Sequence, residues 1–334
     1  MKVCLYFENE KTISKSGIGR AMKHQMAALT AAGIEYTTNP DDTFDILHVN
    51  TYGLNSLACV SKAHAEGKKV IYHAHSTEED FRNSFILSNR LAPFVRHHLI
   101  NAYSMSDYII TPTPYSKAIL ESYGIEKEIS AISNGIELKR FVHDEEKIKA
   151  FRKYFHLSDE QKVVLSVGLF FERKGLLDFI EVAKHFPDVK FIWFGQTPMY
   201  SIPKKMREAV EENHPTNVIF PGYVKGPIIE GAFTNADVFF FPSLEETEGI
   251  VVLEALAGRR EVLLRDIPVY DPWMIDGVNC YKGKSNEEFI ELLGKMLNKE
   301  LPSTAIEGRK VAEERSIERV GQQLKEVYMK VLSE

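Results

Sequence analysis

The chain has 334 residues, 44% hydrophobic and 26% charged, enough for two domains of roughly 150 residues each. That composition excludes disordered, collagen-like and disulfide-scaffold classes, and a formal net charge of -6 argues against a nucleic-acid binder. The longest near-apolar runs have about nine residues, against the roughly 20 that span a bilayer.

The N-terminus turns acidic at Glu8, which reads as a first strand and not as a signal peptide. Short runs rich in β-branched or aromatic residues at 2–7, 44–49, 69–72, 108–111 and 129–132 predict strands. Between them, 18–32 has apolar residues at helical spacing and stops at Gly33; 116–123 predicts a helix capped by Ser116 and stopped by Gly124. The polar stretch 143–160 reads as a linker with a helix at 145–155. Then the pattern restarts, with strands at 163–167, 190–194, 218–220, 238–241 and 261–264 and helices at 178–185 and 250–257. A charged helical tail follows from about 303. The alternation predicts an α/β chain of two doubly wound parallel-sheet domains. Cys4, Cys59 and Cys280 are too scattered for a disulfide framework or a metal pair, which fits a reducing cytoplasm.

Three motifs carry chemistry. Lys15-Ser16-Gly17-Ile18-Gly19-Arg20 follows the first strand and opens the first helix, where glycines let a ligand approach and free N–H groups meet an anion. Met22 stands where the dinucleotide fingerprint needs its third glycine, and a plain turn explains the run equally well. Glu172-Arg173-Lys174-Gly175 puts two cations at the carboxyl end of a strand, which suits a diphosphate or an ordinary solvated turn. Glu246 and Glu254 stand eight apart, the first in a loop after strand 238–241, the second inside the next helix. Gly249 and Ile250 open that helix, where N–H groups can meet a phosphate or a sugar hydroxyl. Glu246 and Glu248 can also simply complement the helix dipole.

In order along the chain, SGIGR, His73-Ala74-His75-Ser76, Ser133-Asn134-Gly135-Ile136, the RKG turn, Phe220-Pro221-Gly222-Tyr223, and Pro242-Ser243 leading into the Glu-x7-Glu pair resemble the retaining nucleotide-sugar glycosyltransferases of family 4. The resemblance implies a GT-B fold, two Rossmann-like domains facing each other across a cleft. It implies an acceptor and membrane-side domain at 1–155 and a donor domain at 156–314, with the C-terminal helix, about 315–334, a candidate to pack back on the first. It also implies roles: Lys174 with Arg173 on the donor diphosphate, Glu254 on the ribose, Glu246 on the transferred hexose, backbone N–H groups of Gly249, Ile250 and Val251 on hexose and phosphate. Gly17 and Gly19 would close on the diphosphate, Tyr223 would lie near the base, and His75 near the sugar. His73 is the other candidate; His75 is favoured because Ser76 follows it directly. Two departures stand out: Leu169 follows Gly168 where many relatives have Arg, and Thr247-Glu248 replaces the usual aromatic or proline-phenylalanine pair before Gly249. The chemistry needs cations and helix N-termini for the leaving diphosphate and passes an oxocarbenium-like state. With no Asp-x-Asp triplet, neither a metal nor a resident cofactor is expected.

Charge is uneven. Residues 1–155 carry 19 Lys and Arg against 18 Asp and Glu; residues 156–334 carry 22 against 29. Between Asp80 and Asp107 there is no acid, while Arg82, Arg90, Arg96, His97 and His98 interleave with Phe85, Leu91, Phe94 and other apolar residues. Such a stretch can rest on an anionic membrane surface or form an ordinary surface helix pair. With YFENEKTISKSGIGR, HAHSTEEDFRNSF and SLEETEGIVVLEA, it is similar to the Gram-positive glycosyltransferases that build diglycosyl-diacylglycerol. That similarity implies a UDP-hexose donor (glucose or galactose), a membrane glycolipid acceptor such as monoglucosyl-diacylglycerol, and peripheral attachment at the cytoplasmic leaflet through Arg82, Phe85, Arg90, Phe94 and Arg96. A soluble or cell-wall saccharide acceptor, and a non-catalytic sugar-nucleotide binder, are the competing readings; the missing GxGxxG speaks against a Rossmann oxidoreductase.

Overall fold

The computed structural model describes residues 1–9 and 17–334. Lys15 and Ser16 of the expected glycine loop lie outside the described residues. The chain divides into two compact units, one of 1–81, 90–136 and 315–334, the other of 82–89 and 137–314.

The first unit has a six-stranded, wholly parallel sheet. Its strands are β1 (Lys2–Tyr6), β2 (Glu35–Thr37), β3 (Ile46–Val49), β4 (Lys69–His73), β5 (Tyr108–Thr111) and β6 (Ile129–Ala131), in the order β2-β1-β3-β4-β5-β6. Val3 pairs with Ile46 in β3, and Ile46 with Lys69 in β4. Successive residues of β1 serve opposite faces. Val3 and Leu5 pack with α1 (Gly17–Ala31) and the C-terminal helix, while Cys4 packs with Leu47, Val60 and Tyr72. Both faces are therefore covered, which is why these strands read as continuous apolar runs. Strand β2 has no such run; an edge strand of three half-exposed residues leaves little sequence signal.

Helix α1 ends as its sequence predicts. Gly33 adopts φ +68°, Ile34 N donates to Leu29 O at 2.9 Å, and Gly33 N to Thr30 O at 3.1 Å, a Schellman stop with Ile34 buried beside Leu29. The start of the helix expected at 116–123 corrects the expectation. After α2 (Leu54–Ala65), α3 (Glu78–Phe81) and α4 (Ser88–Ser104), helix α5 spans Pro114–Ser122 and its cap is Thr113, not Ser116. Pro114 fits the first helical position, so the helix begins two residues early and Ser116 becomes the reciprocal partner of a capping box.

The second unit holds the other parallel sheet, ordered β12-β11-β10-β7-β8-β9. These are β7 (Val163–Val167), β8 (Lys190–Phe194), β9 (Val218–Gly222), β10 (Val238–Phe241), β11 (Glu261–Arg265) and the short edge strand β12 (Tyr281–Gly283). Its helices are α6 (Glu145–Tyr154), α7 (Leu176–Ala183), α8 (Lys204–Glu211), α9 (Pro227–Asn235), α10 (Ile250–Ala257), α11 (Asn286–Leu297) and α12 (Ala305–Glu314). The stretch expected as a linker is part of this unit. Glu230 of α9 binds Arg140 at 3.1 Å and Lys147 of α6 at 3.0 Å. Gly231 permits this packing, since a Cβ there would overlap the Lys147 carbonyl. The last helix, α13 (Ile317–Ser333), belongs to the first unit. It lies on α1 so closely that a Cβ on Gly321 would overlap the Ala28 carbonyl.

Candidate functional site

Each sheet reverses its winding once. In the second unit the chain runs outward from β7 through β8 and β9, then restarts at β10 and runs the other way. The crevice outside the carboxyl ends of β7 and β10 is where open α/β sheets hold ligands. The RKG turn follows β7, and the Glu246–Glu254 segment follows β10, so both motifs flank that point.

Gly175 brings the two together. It sits at φ +73°, and a Cβ would overlap the Pro242 carbonyl at the end of β10. With the turn seated there, Lys174 Nζ pairs with Glu246 Oε1, which also accepts from Ser243 Oγ at 2.7 Å. The pair is largely buried, the Lys174 side chain 14% and the Glu246 side chain 6% exposed. Arg173, grouped with Lys174 as a diphosphate cation, has protein partners of its own. It is buried, its Nε donates to Ser84 Oγ at 2.8 Å, and its NH1 donates to Glu245 O at 3.2 Å. Its own carbonyl accepts from Leu244 N at 2.6 Å. Arg173 thus holds the loop that carries Glu246, and Lys174 is the more exposed of the two cations.

Helix α10 starts from Gly249 at φ +91°, a left-handed conformation that glycine accepts without strain. The N–H groups of its first turn, at Gly249, Ile250 and Val251, belong to the end of a helix that attracts anions. Glu246, Glu248 and Glu254 are all buried, Glu254 completely. Behind Gly249 lies a phenol missed by sequence reasoning. Tyr270 is fully buried, and a Cβ on Gly249 would come within 3.2 Å of its hydroxyl. Burial raises its pKa well above the phenol range, and Glu246, Glu245 and Glu248 add to the shift. Tyr223 follows Gly222 (φ +79°) at the end of β9, with Lys225 Nζ 5.3 Å from its ring.

In the first unit the winding reverses between β1 and β3. Gly17 opens α1 after β1, and among the described residues a Cβ there would meet nothing within 4 Å. Gly19 is buried in the first turn. His75 lies just past β4, buried, its ring stacked on His73 with centroids 4.1 Å apart. Its Nε2 donates to Asn50 Oδ1 at 2.8 Å. Burial pushes its pKa down to about 3, so the ring is neutral. Asn50, Gln25 and His48 around it were not singled out. The signal available was a polar residue at every second position of His48-Val49-Asn50, a period of two inside an apolar strand.

The 81–106 window divides between the units. Residues 82–89 belong to the second because Asn83 O accepts from Arg173 N at 3.1 Å, Ile86 N donates to Ser201 O, and the Phe85 ring lies 4.6 Å from that of Phe171. In α4, Ala92, Leu99, Ala102 and Tyr103 face inward while Leu91 and Phe94 stay exposed, Phe94 at 74%. Arg90 is exposed and Arg82 half-buried. Arg96 turns back to the protein, 3.8 Å from Glu78 and 4.5 Å above the Tyr123 ring. No helix among the described residues is long and apolar enough to cross a membrane.

Two sequence families match the chain. Residues 41–140 match Glycosyltransferase Family 4, and residues 147–318 match Glycosyl transferases group 1. The chain belongs to glycosyltransferase family 4. This glycosyltransferase is 48% identical over 333 residues to a processive diacylglycerol alpha-glucosyltransferase of Acholeplasma laidlawii, covering 99% of both chains. It is 25% identical over 278 residues to an alpha-galactosylglucosyldiacylglycerol synthase of Streptococcus pneumoniae, covering 81% of this chain and 74% of the other. In fold it resembles the Anabaena protein HepE, solved with UDP and glucose, at a TM-score of 0.79 and 15% identity over 99% of this chain and 100% of that one. The two doubly wound parallel sheets are those of a GT-B glycosyltransferase.

Proposed function

We propose that the enzyme transfers a hexose from UDP-glucose, with retention, to a membrane glycolipid, giving diglycosyl-diacylglycerol from monoglucosyl-diacylglycerol. The end-to-end 48% identity to a diacylglycerol alpha-glucosyltransferase carries this reading, and it favours glucose over galactose. Lys174 stabilises the leaving diphosphate, and Glu246 orients Lys174 and contacts the hexose. The α10 N-terminus, at Gly249, Ile250 and Val251, takes phosphate and sugar oxygens. Glu254 binds the ribose, Tyr223 lies by the base, Gly17 and Gly19 close on the diphosphate, and His75 meets the sugar. The C1–O bond to UDP breaks as the acceptor oxygen bonds C1 from the same face. The acceptor proton passes to the departing phosphate. No protein-held metal takes part, so EDTA leaves turnover unchanged.

The protein binds the cytoplasmic face of the membrane peripherally. Exposed Leu91 and Phe94 on the same helix as exposed Arg90 support this, and Arg96, paired with Glu78, contributes less charge than its sequence position implies. The test is incubation with labelled UDP-glucose or UDP-galactose, with and without monoglucosyl-diacylglycerol or a soluble saccharide, followed by lipid extraction. Label in the lipid phase only with UDP-glucose and glycolipid is expected. Label on the saccharide without lipid would replace this reading with the soluble-acceptor one.

A further inference from the structure

A chain of neutral polar groups runs through the first unit from the C-terminal helix to His75. Tyr328 of α13 is fully buried, and its hydroxyl lies 2.6 Å from His48 Nδ1. His48 Nε2 lies 3.3 Å from His73 Nδ1, and the two rings stack at 5.4 Å. Gln25 Nε2 sits 2.9 Å from His73 Nδ1 and 2.7 Å from Asn50 Oδ1, and that oxygen also receives His75 Nε2.

With the Gln25 and Asn50 amides oriented as they are, Asn50 Nδ2 also donating to the His48 carbonyl at 3.5 Å, one assignment of protons satisfies every link. The Gln25 amide has two protons, one for Asn50 Oδ1 and one for His73 Nδ1. His73 Nδ1 is then an acceptor, so the His48 nitrogen facing it is the donor. With Nε2 protonated, His48 Nδ1 is an acceptor and takes the Tyr328 hydroxyl proton. At the other end Asn50 Oδ1 can only accept, so His75 carries its proton on Nε2 and presents Nδ1 as its acceptor. Burial keeps His48 and His75 neutral at physiological pH, each with its pKa lowered to about 3. Neutral imidazoles hold one proton each, so the partner on one ring nitrogen decides what the other offers.

We propose that Tyr328 and His48 are positioning residues that, through His73, Gln25 and Asn50, fix the tautomer and ring plane of His75 so that Nδ1 accepts from the sugar. The proposal rests on His75 meeting the sugar, as proposed above. It makes α13 more than a closing helix: its phenol terminates the chain, and Gly321 sets α13 close against α1, the helix that carries Gln25.

The test uses the full-length enzyme in three variants, Tyr328→Phe, His48→Phe and His48→Gln. Glutamine presents an acceptor and a donor spaced like the imidazole nitrogens; phenylalanine keeps the ring and loses both. Tyr328→Phe and His48→Phe are expected to lower kcat about tenfold, the effect of one lost buried hydrogen bond expressed in the transition state. KM for UDP-glucose should stay unchanged, and His48→Gln should recover most of the rate. Imidazole nitrogen NMR should show His75 wholly Nε2-protonated in the wild type and in His48→Gln, and mixed in the other two. Unchanged tautomers overturn the proposal, as does a rate that follows ring volume, with His48→Phe better than His48→Gln. Tautomers that shift while kcat holds also overturn it. If the wild type transfers no glucose to glycolipid, the functional reading has failed by itself, and the NMR arm still decides the network.

Discussion

Replacing Lys174 with alanine separates the structural from the chemical part of the donor turn. Glu246 is buried and holds two partners, the Lys174 ammonium and the Ser243 hydroxyl at 2.7 Å. Removing the ammonium leaves a buried carboxylate with one neutral donor. Stranding one member of a buried ion pair costs about 3–5 kcal/mol. The Lys174 side chain is 14% exposed and Ser243 remains, so the lower end, about 3 kcal/mol, applies. For a unit of this size that lowers the melting temperature by about 6–12 °C. If Lys174 meets the diphosphate as proposed, turnover should fall further, about 10²–10³-fold, because the cation facing the developing charge is gone. The double variant Lys174→Ala with Glu246→Gln removes the stranded charge. Its melting temperature should return most of the way while its activity stays low, and a double-mutant cycle in scanning calorimetry and lipid-extraction assays reads both quantities. If Lys174→Ala melts like the wild type, the ion pair carries no stability. If the double variant regains activity, Lys174 is not the diphosphate cation.

Three further outcomes follow from geometry. Gly175→Ala adds left-handed strain of about 1–2 kcal/mol and a clash with the Pro242 carbonyl; titration calorimetry should show UDP binding weakened at least tenfold, and unchanged affinity would show that the turn need not sit on β10. Burial lowers the pKa of His48, His73 and His75, so protonation favours the unfolded chain. Stability is therefore full above about pH 6.5 and falls toward pH 3 by up to about 1.4 kcal/mol per pH unit for each ring; urea midpoints against pH should show a shallower fall in His48→Gln, and an equal slope would refute the burial argument. Phe94→Glu with Arg90→Glu should abolish co-sedimentation with vesicles containing anionic lipid and leave transfer to detergent-dispersed acceptor intact; binding that survives would place the membrane contact elsewhere.

Much of the fold was legible because its strands are buried on both faces. A run such as Val238–Phe241 has no polar position to blur it, and all four residues are buried as expected. Edge strands β2 and β12 were invisible because each has only three residues, too few for a periodic signal, and β2 has no buried residue at all. Helix 145–155 was found, yet its polar composition made it a linker. Glu230, over eighty residues away, is what ties Lys147 and Arg140 into the second unit.

The uneven charge was also legible, and its use was not. Sequence alone determined the parallel-sheet architecture, which depends on local pattern, and the order of the motifs, on which the family resemblance rests. Tertiary structure decided which charges do what. Arg173 and Lys174 are neighbours in sequence, but one guanidinium is spent on Ser84 and Glu245 O while the ammonium meets Glu246. Arg96 is drawn to Glu78, whereas Arg90 stays exposed. His48, His73 and His75 look like three core histidines until Tyr328, 280 residues from His48, closes their hydrogen bonds. The reason is common to all three cases: a charge or a proton is placed by whatever the fold brings within 3–4 Å, and most of those partners are distant in sequence.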